Sequence, residues 1–308
     1  MKKTISIMLT ICLLLVLLSG CGAAQKDSDK PTVLVTIWPV YDWVKNMLGE
    51  RAEDFELKLL LDEGVDMHSF QPSVQDMVAV ADCDLLIYVG GESDKWIDEV
   101  EPNNPKQQRV SLLALLGEAA LDEELAEGMQ GEADDAPDEH VWLSPKRARI
   151  LCAALLPYLR ALDEGQSRYL DAAWSIYDAN LAALDADYEA AAASAAGDTL
   201  LFADRFPFRY LTEDYGLSYS AAFPGCEAET EASFQTVSFL AGKLDELGLK
   251  TVLVIESGDG RLAETVIAAS RDRDQTVRVL NSMQGDGGGQ DYLTVMRENL
   301  KVLKEALG

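Results

Sequence analysis

The chain has 308 residues, 48% of them hydrophobic and 26% charged, which is long enough for two ordinary domains and excludes wholesale disorder. Acidic residues number 53 against 26 lysines and arginines, and the resulting net charge of −27 excludes nucleic acid as a partner and favours cations. Only two histidines are present, His68 and His140, which excludes a histidine-rich metal store.

Residues 1–20 read as a secretory signal peptide. Lys2 and Lys3 are followed by a mostly apolar run from Ile5 to Leu18 and then by Leu18-Ser19-Gly20-Cys21. The run is short for a membrane-spanning helix. Its Leu-Ser-Gly-Cys end resembles a bacterial lipobox, whose cysteine becomes lipidated. Cys21 is therefore expected to carry a lipid anchor, with residues 21–30 as a polar tether at the extracytoplasmic face of the cell membrane. Once Cys12 leaves with the signal, Cys83, Cys152 and Cys226 remain beside Cys21. Three cysteines allow one disulfide or none. No two of them have zinc-site spacing, and the apolar runs around Cys83 and Cys152 suggest buried free thiols.

Strand and helix patterns then alternate. Val33 to Ile37, Leu57 to Leu61 and Leu85 to Val89 are short apolar strands, with helical patterns at Tyr41 to Leu48 and Val74 to Ala81. This alternation predicts a parallel sheet with right-handed crossovers. Glu118 to Glu139 holds ten acidic residues and no lysine or arginine, so it reads as a solvated, locally disordered loop. Between Asp163 and Ala195, Leu170, Ala173, Trp174, Tyr177, Leu181, Leu184 and Tyr188 recur at three- and four-residue spacing. They form one face of a long helix, roughly 45 Å for some thirty residues.

Beyond Gly197-Asp198 the pattern repeats. Strands are predicted at Thr199 to Ala203, Thr251 to Ile255 and Val277 to Leu280. Helices are predicted up to Tyr215 and over Ser233 to Leu247, Leu262 to Ser270 and Tyr292 to Leu307. Gly285 to Gly289 reads as a loose loop. The expected fold class is α/β: an N-terminal lobe over 31–160 that includes the acidic loop 118–139, a linker helix over 161–197, and a C-terminal lobe over 198–308. The cleft between the lobes is the expected ligand site.

His68 lies in Gly64-Val65-Asp66-Met67-His68-Ser69-Phe70-Gln71-Pro72-Ser73, between a strand and a helix, where open α/β sheets gather their ligands. His140 lies in Asp138-Glu139-His140-Val141-Trp142-Leu143-Ser144-Pro145. For either one by itself, a surface or hydrogen-bonded structural histidine is the commoner case. As a pair, each beside carboxylates, they point toward metal binding, and imidazole nitrogens suit zinc and manganese. There is no Gly-x-Ser-x-Gly elbow, no phosphate-binding glycine loop and no His-Glu-x-x-His, so no catalytic constellation stands out.

With these blocks the chain resembles, from about Val33 to Leu307, the metal-binding solute-binding lipoproteins of bacterial ABC importers, in their zinc and manganese branch. Asp66 to Ser73 is similar to the family's Asp-Pro-His-x-x-x-Pro block, with Met67 where proline is usual. Asp138 to Pro145 is similar to its Asp-x-His-x-Trp-Leu-x-Pro block, and Tyr210-Leu211, Tyr215-Gly216-Leu217, Glu231-Ala232-Ser233 and Tyr292 to Leu307 match later landmarks. The resemblance implies that the long helix is a rigid linker and that His68 and His140 are the first two metal ligands. The third ligand, often histidine, precedes the Tyr-Leu pair. Ungapped counting places Arg205 there, which cannot ligate a metal, and one inserted residue places Asp204. The fourth falls on Glu256, with Asp259 nearby.

The implied set is therefore His68, His140, Asp204 and Glu256, binding Zn²⁺ or alternatively Mn²⁺. The implied function is capture of the ion by a monomeric, non-enzymatic receptor that delivers it to an ABC permease and its ATPase subunit. An adhesin or scaffold on the same fold, with weak or lost transport, is the alternative.

Overall fold

The computed structural model describes residues 30–61, 65–131, 136–226, 231–285 and 289–308. The predicted signal peptide, Cys21 and nearly all of the predicted tether lie outside the described residues. Eight strands form two four-stranded sheets among them. The first contains β1 (Thr32–Val35), β2 (Glu56–Leu59), β3 (Leu85–Tyr88) and β4 (Gln108–Ser111), in the order β2-β1-β3-β4. The second contains β5 (Thr199–Phe206), β6 (Ser218–Pro224), β7 (Thr251–Val254) and β8 (Thr276–Val279), in the order β6-β5-β7-β8. All neighbours are parallel, and the two sheets share one topology.

The helices are α1 (Trp38–Leu48), α2 (Val74–Asp82), α3 (Leu112–Leu116), α4 (Pro145–Leu162), α5 (Ser167–Ser194), α6 (Arg209–Tyr215), α7 (Phe234–Leu247), α8 (Arg261–Ala269) and α9 (Tyr292–Leu307). β1 and β7 are buried along their whole length, as expected of strands covered on both faces. The sequence patterns missed β4 and β6, which are edge strands. Gln108-Arg109-Val110-Ser111 buries only Val110, and the first half of β6 is Ser-Tyr-Ser, so neither carries a continuous apolar signal.

Helix α5 runs unbroken for 28 residues, about 42 Å at 1.5 Å per residue. Its buried face is Leu170, Tyr177, Leu181, Leu184, Tyr188 and Ala191, close to the predicted stripe. Burial of each large member stabilises the fold by roughly 1.5–3 kcal/mol. Tyr188 also donates from its hydroxyl to the Met296 carbonyl of α9 at 2.7 Å. One hydrophobic core runs from β1 through α4 and α5 to α9, and a smaller one lies between the second sheet and α7 and α8.

Hydrogen bonds brace the two lobes across the cleft. Trp142 Nε1 donates to the Ser282 carbonyl at 2.9 Å, and Tyr292 Oη donates to the Trp142 carbonyl at 2.7 Å. The described part of the acidic segment is held by hydrogen bonds, and its last two acids, Asp138 and Glu139, are buried, which corrects the expectation of a freely solvated loop. Asp122 bridges to Pro137, Leu121 N donates to Tyr210 Oη, and Gln130 N donates to the Ala222 carbonyl. These contacts carry the segment onto the second lobe.

Candidate metal centre

His68 sits in a short 3₁₀ turn, Met67–Ser69, after β2. Asp66 caps that turn, accepting from His68 N at 3.0 Å, and buried Met67 anchors it beneath. His140 enters from the other side, just before the 3₁₀ turn Val141–Leu143 and the start of α4. Ser144 fixes that start: its Oγ accepts from Arg147 N and donates to Asp214. The two imidazoles meet with their Nε2 atoms 3.1 Å apart. Two nitrogens at 2.0–2.1 Å from one tetrahedral zinc stand about 3.3 Å apart, so the pair is already close to ligating distance.

The other ring nitrogens are held from behind. His140 Nδ1 lies 3.1 Å from Asp138 Oδ1, and that carboxylate also accepts from His140 N at 2.8 Å. His68 Nδ1 lies 3.0 Å from Ser93 Oγ and 3.5 Å from Glu139 Oε2. Ser93 in turn donates to Glu139 from both its amide and its hydroxyl. A carboxylate on the far nitrogen fixes which nitrogen faces the ion and raises its basicity. Gly91 makes room for this arrangement, because a β-carbon there would lie 2.1 Å from Glu139 Oε1. Burial, reinforced by the neighbouring His140, pulls the His68 imidazole down to about 3, so it is held neutral; Asp66 opposes the shift and Arg205 adds to it.

The remaining predicted ligands go elsewhere. Asp204 Oδ2 accepts from Ile255 N at 3.1 Å and Oδ1 from Arg205 N at 2.8 Å, so its carboxylate bridges β5 to the end of β7. Successive residues of a strand face opposite sides, and it is Arg205 that turns toward the histidines. Its guanidinium lies 2.8 Å from Asp66 Oδ2 and 3.5 Å from Gln284 Oε1, while Gln284 Nε2 lies 2.8 Å from His140 Nε2. Glu256 accepts from Ser282 N at 2.7 Å and Ser282 Oγ at 2.9 Å. Asp259 pairs with Arg261 at the surface. Neither Asp204 nor Glu256 joins the two imidazoles.

The residue that does join them is Cys226. Among the described residues, His68, His140 and Cys226 form the one group of three whose ligand atoms all lie within 4.8 Å of one another. Sequence reasoning missed it because its nearest cysteine in the chain is 74 positions away (226 − 152) and no histidine is near it. All three described cysteines are free. Burial, together with Asp138, Glu123 and Glu139, pushes the Cys226 thiol well up.

Two parallel-sheet lobes joined by one long helix, with paired imidazoles at the cleft, define the class of metal-binding solute-binding proteins. The chain belongs to the family described as zinc-uptake complex component A, periplasmic, which matches residues 33–306. The zinc-binding protein AdcA of Streptococcus pyogenes serotype M3 is 26% identical over 324 residues, covering 99% of this chain and 61% of AdcA. The chain thus spans about three-fifths of the length of that relative. The high-affinity zinc uptake system protein ZnuA of Bacillus subtilis is 26% identical over 315 residues, covering 96% of this chain and 95% of ZnuA. The crystal structure of the Zn(II)-bound ZnuA-like domain of Streptococcus pneumoniae AdcA superposes with a TM-score of 0.72 at 24% identity, over 90% of this chain and 99% of that one.

Proposed function

We propose that this protein is the extracytoplasmic receptor of an ABC importer. It captures a divalent transition metal, with zinc as the first cargo and manganese as the second, and passes it to the membrane permease and its ATPase. The observation that carries this reading is the His68–His140 pair: two Nε2 atoms 3.1 Å apart, with the far nitrogens held by Asp138 and by Ser93 with Glu139. His68 and His140 are the ligands that this reading requires. Asp204 and Glu256 hold the strand ends together around them. The zinc-binding relatives support zinc as the cargo. Among the described residues no helix is long and apolar enough to cross a membrane. The Leu18-Ser19-Gly20-Cys21 block supports attachment through a lipid on Cys21.

The test is metal content and competition titration of the chain purified without chelator. About one zinc per chain, lost on His68→Ala or His140→Ala, supports the reading. Absence of zinc and manganese binding by the wild type overturns it. Release of a Cys21→Ala chain into the medium tests the anchor.

A further inference from the structure

We propose that Cys226 is a third ligand of the metal centre, making it a His₂Cys site that takes thiolate-preferring ions, zinc above all, and discriminates against manganese. This rests on the metal-receptor reading above and names the chemistry of its cargo.

Three observations converge on Cys226. The first is position: its sulfur and the ligand nitrogens of His68 and His140 all lie within 4.8 Å of one another. Ligand lengths of about 2.3 Å for sulfur and 2.0–2.1 Å for nitrogen place the sulfur of a tetrahedral zinc site about 3.6 Å from each nitrogen. Small side-chain movements close that gap.

The second is the backbone that delivers it. A β-carbon on Gly225 would lie 2.9 Å from His140 Cε1 and 2.9 Å from the Phe206 carbonyl oxygen, so a residue without a side chain lets the chain pass beside the imidazole. The Cys226 amide is fixed by donation to Glu123 Oε1 at 3.2 Å. Cys226 follows β6 as His68 follows β2, and β6 and β2 hold the same edge position in sheets of identical order. Each lobe therefore offers one ligand from the same place in its fold.

The third is contrast. Cys83 and Cys152 are 1% and 0% exposed within the hydrophobic core, where a cysteine serves as a small apolar side chain. Cys226 is half-buried beside two imidazoles and Glu123, surroundings that serve a ligand and not an apolar filler. On binding, the thiol proton leaves to solvent and the thiolate supplies one negative charge to the divalent ion. Soft sulfur ligands favour zinc, while manganese prefers oxygen ligands.

The experiment uses the detergent-solubilised full chain with cobalt(II) and zinc as probes. The wild-type cobalt complex should show near-ultraviolet thiolate-to-cobalt charge transfer that Cys226→Ser lacks. Zinc affinity should fall about tenfold to a hundredfold in that variant, with the zinc-over-manganese preference narrowed. Peptide-level mapping of iodoacetamide labelling gives a second measurement on the wild type, decisive if the variant misfolds: zinc should protect Cys226. Binding with no charge-transfer band, no protection and an unchanged Cys226→Ser titration overturns the thiolate ligand and leaves the receptor reading standing. No binding of zinc or cobalt by the wild type overturns both.

Discussion

The guanidinium of Arg205 stands 2.8 Å from the carboxylate of Asp66, and that carboxylate also caps the turn that carries His68. A residue of the second lobe thereby holds the loop that presents the His68 imidazole of the first. The two partners are unequally buried: the Arg205 side chain is 8% exposed and that of Asp66 25%. Although burial pushes the Asp66 carboxyl up, the Arg205 hydrogen bond and the His68 amide outweigh it, and the net shift is downward.

Removing either partner breaks this ion pair. Asp66→Asn takes the carboxylate away from a buried guanidinium and should cost about 3 kcal/mol of stability. Arg205→Met leaves a carboxylate that keeps part of its water, so its cost should be smaller. Urea midpoints of the two variants check the order; equal losses would overturn the burial argument, and negligible losses in both would show that the pair does not brace the cleft.

His68→Ala and His140→Ala should each lower zinc affinity by about a hundredfold or more while leaving the far-ultraviolet circular dichroism unchanged. Competition against a zinc chelator of known affinity measures this. Retention of wild-type affinity by both variants would falsify the site.

Asp138→Asn tests the support behind His140. The carboxylate 3.1 Å from Nδ1 becomes an amide of the same shape, which holds the ring and its tautomer less firmly. Zinc affinity should fall about tenfold to a hundredfold although Asp138 is not among the proposed ligands. An unchanged titration would mean that packing alone orients the ring.

The metal-free chain should lose stability in acid partly through His68. Its folded pKa is depressed to about 3, chiefly by burial, while an unfolded histidine titrates near 6.5. Between those values the unfolded state binds the extra proton. The contribution is therefore complete above about pH 6.5 and is lost as pH falls toward 3. Between pH 7.5 and 4.5 the wild type should lose on the order of 1–2 kcal/mol more than His68→Gln, read from urea midpoints. Parallel losses in the two proteins would show that His68 does not carry this acid sensitivity.

Strongly periodic elements were legible in the sequence. The linker helix announced itself through Leu170, Tyr177, Leu181, Leu184 and Tyr188, because one helix face buried over 28 residues leaves a long 3.6-residue rhythm. The buried strands β1, β3 and β7 were legible as short apolar runs. The edge strands β4 and β6 were not, since their pairing rests on backbone hydrogen bonds that any side chains permit.

At the site, the local blocks around His68 and His140 pointed to the two imidazoles, because Asp66 caps the His68 turn and Asp138 backs the His140 ring from two residues away, while the Ser93 and Glu139 support behind His68 comes from distant parts of the chain. The rest was decided only by the tertiary structure. Whether Asp204 or Arg205 faces the cleft depends on which side of β5 each occupies, and β5 pairs with β6 through a register shift between Phe202 and Arg205 that chain counting does not contain. Cys226 meets His68 across 158 positions of sequence (226 − 68), through parallel strands from two sheets that converge on one cleft. Sequence periodicity records the face on which a residue lies within its own element; which distant residue stands opposite it is set by the packing of the elements against each other.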